Sequence, residues 1–142
     1  MYYVNVEQIE QRLQAIPEIA EGLRVVSEGW EHSLAQGLIQ ERCLHLAIEV
    51  VTDVCSYLID GFIMRDASSY EDIVEINYQE KVFSESIFNV LIELVKLRKP
   101  LVQEYFLWDR SVLHPLTASV PDALEQFAAS IRDYLKQELG SV

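Results

Sequence analysis

Cysteine is scarce in this 142-residue chain: Cys43 and Cys55 are the only two, too few for a disulfide framework. Both stand among apolar residues at helical spacing, which assigns them to small buried hydrophobic positions. No Cys-x-x-Cys pair and no nearby basic cluster supports a redox-active thiol. Long apolar runs are missing too, because charges interrupt every stretch that could span a bilayer. The opening residues, Met1 to Glu7, lack the basic-then-apolar layout of a signal peptide. A cytoplasmic protein with no membrane association is therefore expected. Basic residues are few: 11 Lys plus Arg stand against 23 Asp plus Glu, a formal charge of -12 at pH 7. Neutralising phosphates drives nonspecific RNA binding, so either any basic groove is small and local or nucleic acid is not the ligand.

With 5 glycines, 4 prolines and no Gly/Ser linker, repeat or low-complexity tract, no domain boundary shows. A single domain over residues 1–142 is expected, long enough to bury a core. Half of the residues are hydrophobic, and they recur at the helical period.

Asn5 and Gln8 resemble a capping box, opening a helix toward Gly29 that Pro17 should kink or restart. Ser33 caps a second helix running to about Asp60, with Gly61 as its C-terminal stop. That helix carries two apolar rows: Leu38, Ile39, Leu46, Val50, Val54 and Leu58, and Leu44, Ile48, Val51, Cys55 and Ile59. Two apolar faces predict an element buried between neighbours. Ser69 with Asp72 opens a short third helix, and Ser84 caps a fourth that should stop near Arg98. Pro100 should push Lys99 out of the helical region and begin a new short helix holding Leu101, Val102, Tyr105 and Phe106. A last helix starts around Pro115 or Pro121 and buries Leu124, Phe127, Ile131 and Leu135. The expected fold is all-α, an up-and-down bundle of about five to six helices.

A polar stripe survives on the second helix at four-residue spacing: Glu41, His45, Glu49 and Asp53. Burying these groups without partners would be costly, so the stripe should face water, a cleft or another polar element. One histidine and two carboxylates on one helix lack the remaining ligands of a metal site, and no metal or cofactor is expected. A polar network under Arg98 or Arg42 is the expected arrangement. His32 and His114, near loops or helix ends, are expected to be solvated. Tyr2, Tyr3, Trp30 and Trp108 are expected in the core or a dimer interface.

The stretch Arg98-Lys99-Pro100-Leu101-Val102-Gln103-Glu104-Tyr105 carries the chemistry. Taken with its flanks, it resembles the signature of the HEPN superfamily and, within it, the HepT-like ribonuclease toxins. That signature reads Arg, usually Asn, any residue, Leu, Val, His, any residue, Tyr. Arg98, Leu101, Val102 and Tyr105 match; Lys99-Pro100 and Gln103 depart. The likeness extends along the chain: Tyr2 to Ile9 is similar to the family's opening helix, and Arg42 with Glu49 and Asp53 to the polar pattern of its second helix. Asp60-Gly61-Phe62-Ile63-Met64-Arg65-Asp66, followed by Ser69-Tyr70, resembles a bacterial subgroup of the family.

The resemblance implies a HEPN-like helical homodimer whose signatures line a shared cleft, where active members cleave RNA without a metal. It implies Arg98 as the phosphate-binding cation, Gln103 at the catalytic histidine position and Tyr105 as a residue that a nucleotidyltransferase antitoxin adenylylates. Arg42, His45, Glu49 and Asp53 would line the cleft. Cleavage through the RNA 2′-hydroxyl needs a proton acceptor, a leaving-group donor and stabilisation of phosphorane charge. Arg98 can supply the last, but a glutamine amide does not exchange protons near neutrality as histidine does. Losing that role removes about 10²–10⁴-fold of rate.

Three readings follow: a HepT-like protein with weakened or lost ribonuclease activity, an active endoribonuclease toxin neutralised by a nucleotidyltransferase, or a non-catalytic dimeric interaction module. Each residue also has a plainer role. Arg98 could offset a helix dipole, Gln103 could be a surface side chain, and Tyr105 a packed aromatic with its hydroxyl bonded at the rim.

Overall fold

The computed structural model describes residues 3–140, so Tyr2 lies outside the described residues. Among the described residues six α-helices follow one another: α1 Val6–Leu13, α2 Ile16–Glu28, α3 Leu34–Gly61, α4 Tyr70–Gln79, α5 Glu85–Lys96 and α6 Leu116–Leu139. No strand occurs among the described residues. A π turn over Lys99–Gln103 and a 3-10 turn over Tyr105–Leu107 lead from α5 toward α6. The all-α bundle expected from the periodicity is the fold observed.

Side-chain caps set most helix starts. Asn5, Ser33, Ser69 and Ser84 each accept a backbone N–H from the residue three ahead. Ser33 and Gln36 close a full capping box; Gln8 instead turns its side chain to Arg12, leaving the Asn5 box half made. Pro17 restarts the chain, as α1 ends before Gln14 and α2 begins at Ile16 with the proline in its first turn. α2 packs on α3 and α6, α1 on α3, and α4 on α3 and α5, while α5 closes on α6. Between them lies a cluster that includes Leu44, Ile48, Leu58, Leu91, Phe127 and Ile131, all fully buried.

Three expectations are corrected. Leu38 and Ile39, placed in an inner row, are exposed, because at that end α3 buries Gly37 and Gln40 instead. Gly61 is not a left-handed stop. It is the last residue of α3 and is glycine for space, since a Cβ there would lie 2.9 Å from Val4 Cγ2 and 3.0 Å from Val4 Cα. The left-handed residue is Ile63, at φ 55°, and Met64 N–H returns to the Ile59 carbonyl at 2.9 Å, a Schellman closure. α4 ends the same way, with Lys81 at φ 63° and Val82 N–H on the Asn77 carbonyl.

Third, Pro100 does not push Lys99 out of the helical region, although α5 stops at Lys96 and Pro100 sits in the first turn of a new short segment, as expected. Arg98 keeps helical dihedrals, Leu101 N–H bonds the Leu97 carbonyl, and Glu104 N–H reaches back five residues to Lys99. Pro100 lies in the first turn of this segment, where its missing N–H leaves no helical bond unmade. Tyr105 and Phe106 consequently fall beyond it, in the 3-10 turn rather than in a new helix with Leu101. Of the two prolines offered as a last start, Pro115 is the cap, and Pro121 stays buried inside α6.

Candidate functional site

The π turn presents the signature. Leu101, 2 % exposed, anchors it in the core, while Lys99 and Gln103 on either side are exposed. No side-chain hydrogen bond holds Gln103 among the described residues. Tyr105 is 57 % exposed, edge-on to Phe106 with ring centroids 5.7 Å apart, and its hydroxyl is not bonded among the described residues. That removes its plainer role as an anchored rim tyrosine.

Arg98 is half-buried and lies over the Tyr70 ring, its guanidinium carbon 3.9 Å from the centroid. Tyr70 opens α4 and is placed by the loop before it. Arg65 donates two 2.8 Å hydrogen bonds to Asp72, which also accepts from Ser68 N–H at 2.9 Å and from the Ser68 hydroxyl at 3.0 Å. The Arg65 guanidinium, aided by the Ser68 backbone, holds the Asp72 carboxyl well below the usual carboxylate range. The segment from Asp60 to Tyr70 thus ends at the signature arginine.

The polar stripe of α3 is divided among separate partners. Glu41 accepts Arg110 Nε at 2.6 Å and its Nη2 at 3.0 Å; Arg110 also reaches the Tyr105 carbonyl at 3.4 Å. His45 Nε2 stands 3.3 Å from Glu49, and Asp53 accepts Arg12 Nε at 3.4 Å. Arg42 is exposed and without an ion pair among the described residues. The expected network under Arg98 or Arg42 is therefore corrected: Arg110 and Arg12 are the cations, because loop closure and α1 bring them to the stripe. No group of three His, Cys, Asp or Glu among the described residues is disposed to hold a metal.

Beyond the 3-10 turn, residues 108–114 fold back onto α3. Buried Gln40 donates to the Val112 carbonyl at 3.0 Å and accepts from His114 N–H at 2.9 Å and the Thr117 hydroxyl at 2.6 Å. His114 is half-buried rather than solvated. It stacks on Trp108 at 5.9 Å, its Nδ1 accepts Leu116 N–H, and burial pushes its pKa down. His32 is exposed at φ 61°, with Nδ1 3.0 Å from the Ser111 carbonyl. Trp108 and Trp30 sit at this edge, half-buried, and Trp108 packs against the core cluster. Cys55 is fully buried and Cys43 half-buried; desolvation raises both thiols.

Among the described residues, six Lys and Arg side chains bond carboxylates: Arg12, Arg24, Arg65, Lys96, Arg110 and Arg132. Adjacent Arg98 and Lys99 are not among them, so neither signature cation is in an ion pair among the described residues of this strongly acidic chain. Sequence reasoning missed Arg110, Gln40 and the contact of Tyr70 with Arg98. Gln40 had a usable signal, a polar residue beside apolar Leu38, Ile39 and Leu44; Arg110 had none.

Comparison with known proteins gives a consistent set of relatives. The HepT-like family, described as "Ribonuclease HepT-like", matches residues 9–131. A Bacillus subtilis (strain 168) protein named "Putative RNase YutE" is 39% identical over 142 residues, covering 100% of this chain and 97% of the relative. The solved structure of YutE from Bacillus subtilis, described as a cytosolic protein of unknown function, superposes with a TM-score of 0.87 at 38% identity, over 100% of this chain and 98% of that one. A chain from a crystal structure of a toxin–antitoxin with AMP-PNP shares the fold, with a TM-score of 0.74 at 16% identity, over 88% and 97% of the two chains. Among the described residues, no helix is long and apolar enough to cross a membrane.

Proposed function

We propose a function from the premise that this chain belongs to the HepT-like ribonuclease family: it binds RNA at the Arg98–Tyr105 segment, with cleavage weakened or lost through Gln103. The observation that carries this reading is the open presentation of Gln103 on the π turn, following Arg98 and Lys99, which no carboxylate pairs among the described residues. Arg98 offers planar donors to phosphate oxygens, and Gln103 can hold a water or contact a phosphate without moving a proton. The segment therefore retains binding groups and lacks the one that titrates near neutrality. His114 does not replace it readily, since Nδ1 is engaged with Leu116 and the ring is stacked on Trp108.

The chain acts as a single-domain cytoplasmic homodimer. Support for pairing comes from exposed apolar side chains beside the signature, namely Phe106, Leu107 and Val112, with Leu34 and Leu38 on α3. In that assembly Arg42, His45, Glu49 and Asp53 line the cleft. A nucleotidyltransferase is the partner class the family likeness suggests, and exposed Tyr105 is sterically open to adenylylation.

A metal-free RNA cleavage assay tests the catalytic part. Native protein should cleave weakly or not at all, and Gln103→His should raise the rate by about 10²–10⁴-fold. Native cleavage abolished by Arg98→Ala would establish instead an active endoribonuclease. No cleavage even by Gln103→His would leave the non-catalytic interaction module.

A further inference from the structure

Arg12, Arg24, Arg65, Arg110 and Arg132 each hydrogen-bond a carboxylate. Arg12 also lies over a ring, that of Tyr57 at 5.1 Å, but Arg98 is held by an aromatic face alone, with no hydrogen bond from its guanidinium among the described residues. Stacking uses the flat face of the guanidinium and leaves the in-plane N–H groups at its rim available. A carboxylate in the same place would cancel the charge and occupy the donors. The ring orients the group and leaves both charge and donors for an incoming anion.

We propose that Tyr70 is a positioning residue, whose ring holds Arg98 flat so that the guanidinium rim meets an RNA phosphate. The proposal rests on the RNA-binding reading of the signature given above. The local construction suits such a role. Ser69 caps α4 and fixes the backbone at Tyr70, and the Arg65–Asp72–Ser68 clasp fixes the loop that delivers it. Tyr70 is 44 % exposed, and its hydroxyl has no hydrogen bond among the described residues. Its defined contact is the ring face on Arg98.

The test is a salt titration of binding to a short labelled single-stranded RNA, using native protein, Arg98→Ala, Tyr70→Leu, Tyr70→Phe and the Arg98→Ala/Tyr70→Leu double variant, each checked for folding by melting. Arg98→Ala should lower affinity and reduce the log–log salt slope by about 0.7, one single-strand phosphate contact. Tyr70→Leu should weaken binding about two- to fivefold, the scale of an exposed cation–π contact. Tyr70→Phe, which keeps the ring face, should bind as the native protein does. In the Arg98→Ala background Tyr70→Leu should have no further effect, because the two act as one unit. An equal loss in both backgrounds would overturn the proposal, showing that Tyr70 acts independently of Arg98. Weakening by Arg98→Ala with none from Tyr70→Leu would overturn positioning alone and leave RNA binding standing. No effect of Arg98→Ala would remove RNA binding at this segment, and the role of Tyr70 with it.

Discussion

The Arg110 carbonyl oxygen comes within 2.0 Å of where a Cβ on residue 37 would stand, so the loop after the signature rests directly on the backbone of α3 at Gly37. That approach also brings Arg110 to Glu41, and through it the Tyr105 carbonyl to α3. Gly37 is helical and needs no special dihedrals; it is glycine because another backbone occupies its side-chain space.

Gly37→Ala should therefore displace the loop rather than be absorbed, since the obstructing atoms are backbone. Overpacking of this kind costs roughly 1–3 kcal/mol, partly offset by the better helix propensity of alanine. The expected outcome is a lower Tm with faster proteolytic nicking within residues 105–114. An unchanged Tm and cleavage pattern would mean that the loop moves away freely.

Asp72 gives the chain an identifiable acid sensitivity. Its folded pKa lies below the ordinary carboxylate value because Arg65 and Ser68 favour the ionised form. Its contribution to stability is complete above the unfolded pKa of about 4 and is lost as pH falls through that value toward the folded one. Asp72→Asn should lower Tm at neutral pH and flatten the acid limb of the Tm–pH curve. Asp109 and Glu125 are also shifted down, so the difference between native and variant curves is the measurement that isolates Asp72. Parallel curves would refute the assignment.

The clasp and the caps differ in how far sequence could show them. Ser33, Ser69 and Ser84 are local signals, each contacting a backbone N–H three residues away, and their helices start where the pattern places them. Proline and glycine were harder, because each has two physical meanings. Pro100 marks the stop of α5 and the start of the next segment, but nothing local in the sequence distinguishes the π geometry that this segment takes. Gly61 was compatible with a left-handed stop or a close approach, and which one holds depends on where Val4 lies. The partners of the α3 stripe were least legible. Glu41 pairs across 69 residues and Asp53 across 41, distances at which no sequence periodicity operates.

Ile63 carries a correctable strain. A β-branched residue at φ 55° costs about 1–2 kcal/mol relative to one in a favoured region. Its side chain is 76 % exposed, so little packing is lost by removing it. Ile63→Gly relieves the strain but adds freedom to the unfolded chain, leaving a net stabilisation of about 0.5–1 kcal/mol. Thermal melting should show Tm rising by roughly 2–4 °C. A fall would show that the exposed isoleucine contributes packing that outweighs its backbone strain.

Phe106 and Leu107 are 70 % and 72 % exposed beside the signature, and a solvated surface gives them no role in folding. If they form the centre of the proposed homodimer contact, a carboxylate placed there must be desolvated on association without a partner. Leu107→Asp and Phe106→Asp should then weaken dimerisation by at least about tenfold, corresponding to roughly 1.4 kcal/mol, while the helical signal stays native. Sedimentation velocity across micromolar concentrations separates the outcomes. A native dimer that both variants convert toward monomer supports the shared cleft. A dimer indifferent to both substitutions would move the interface to another face, and a native monomer would leave each signature to work alone.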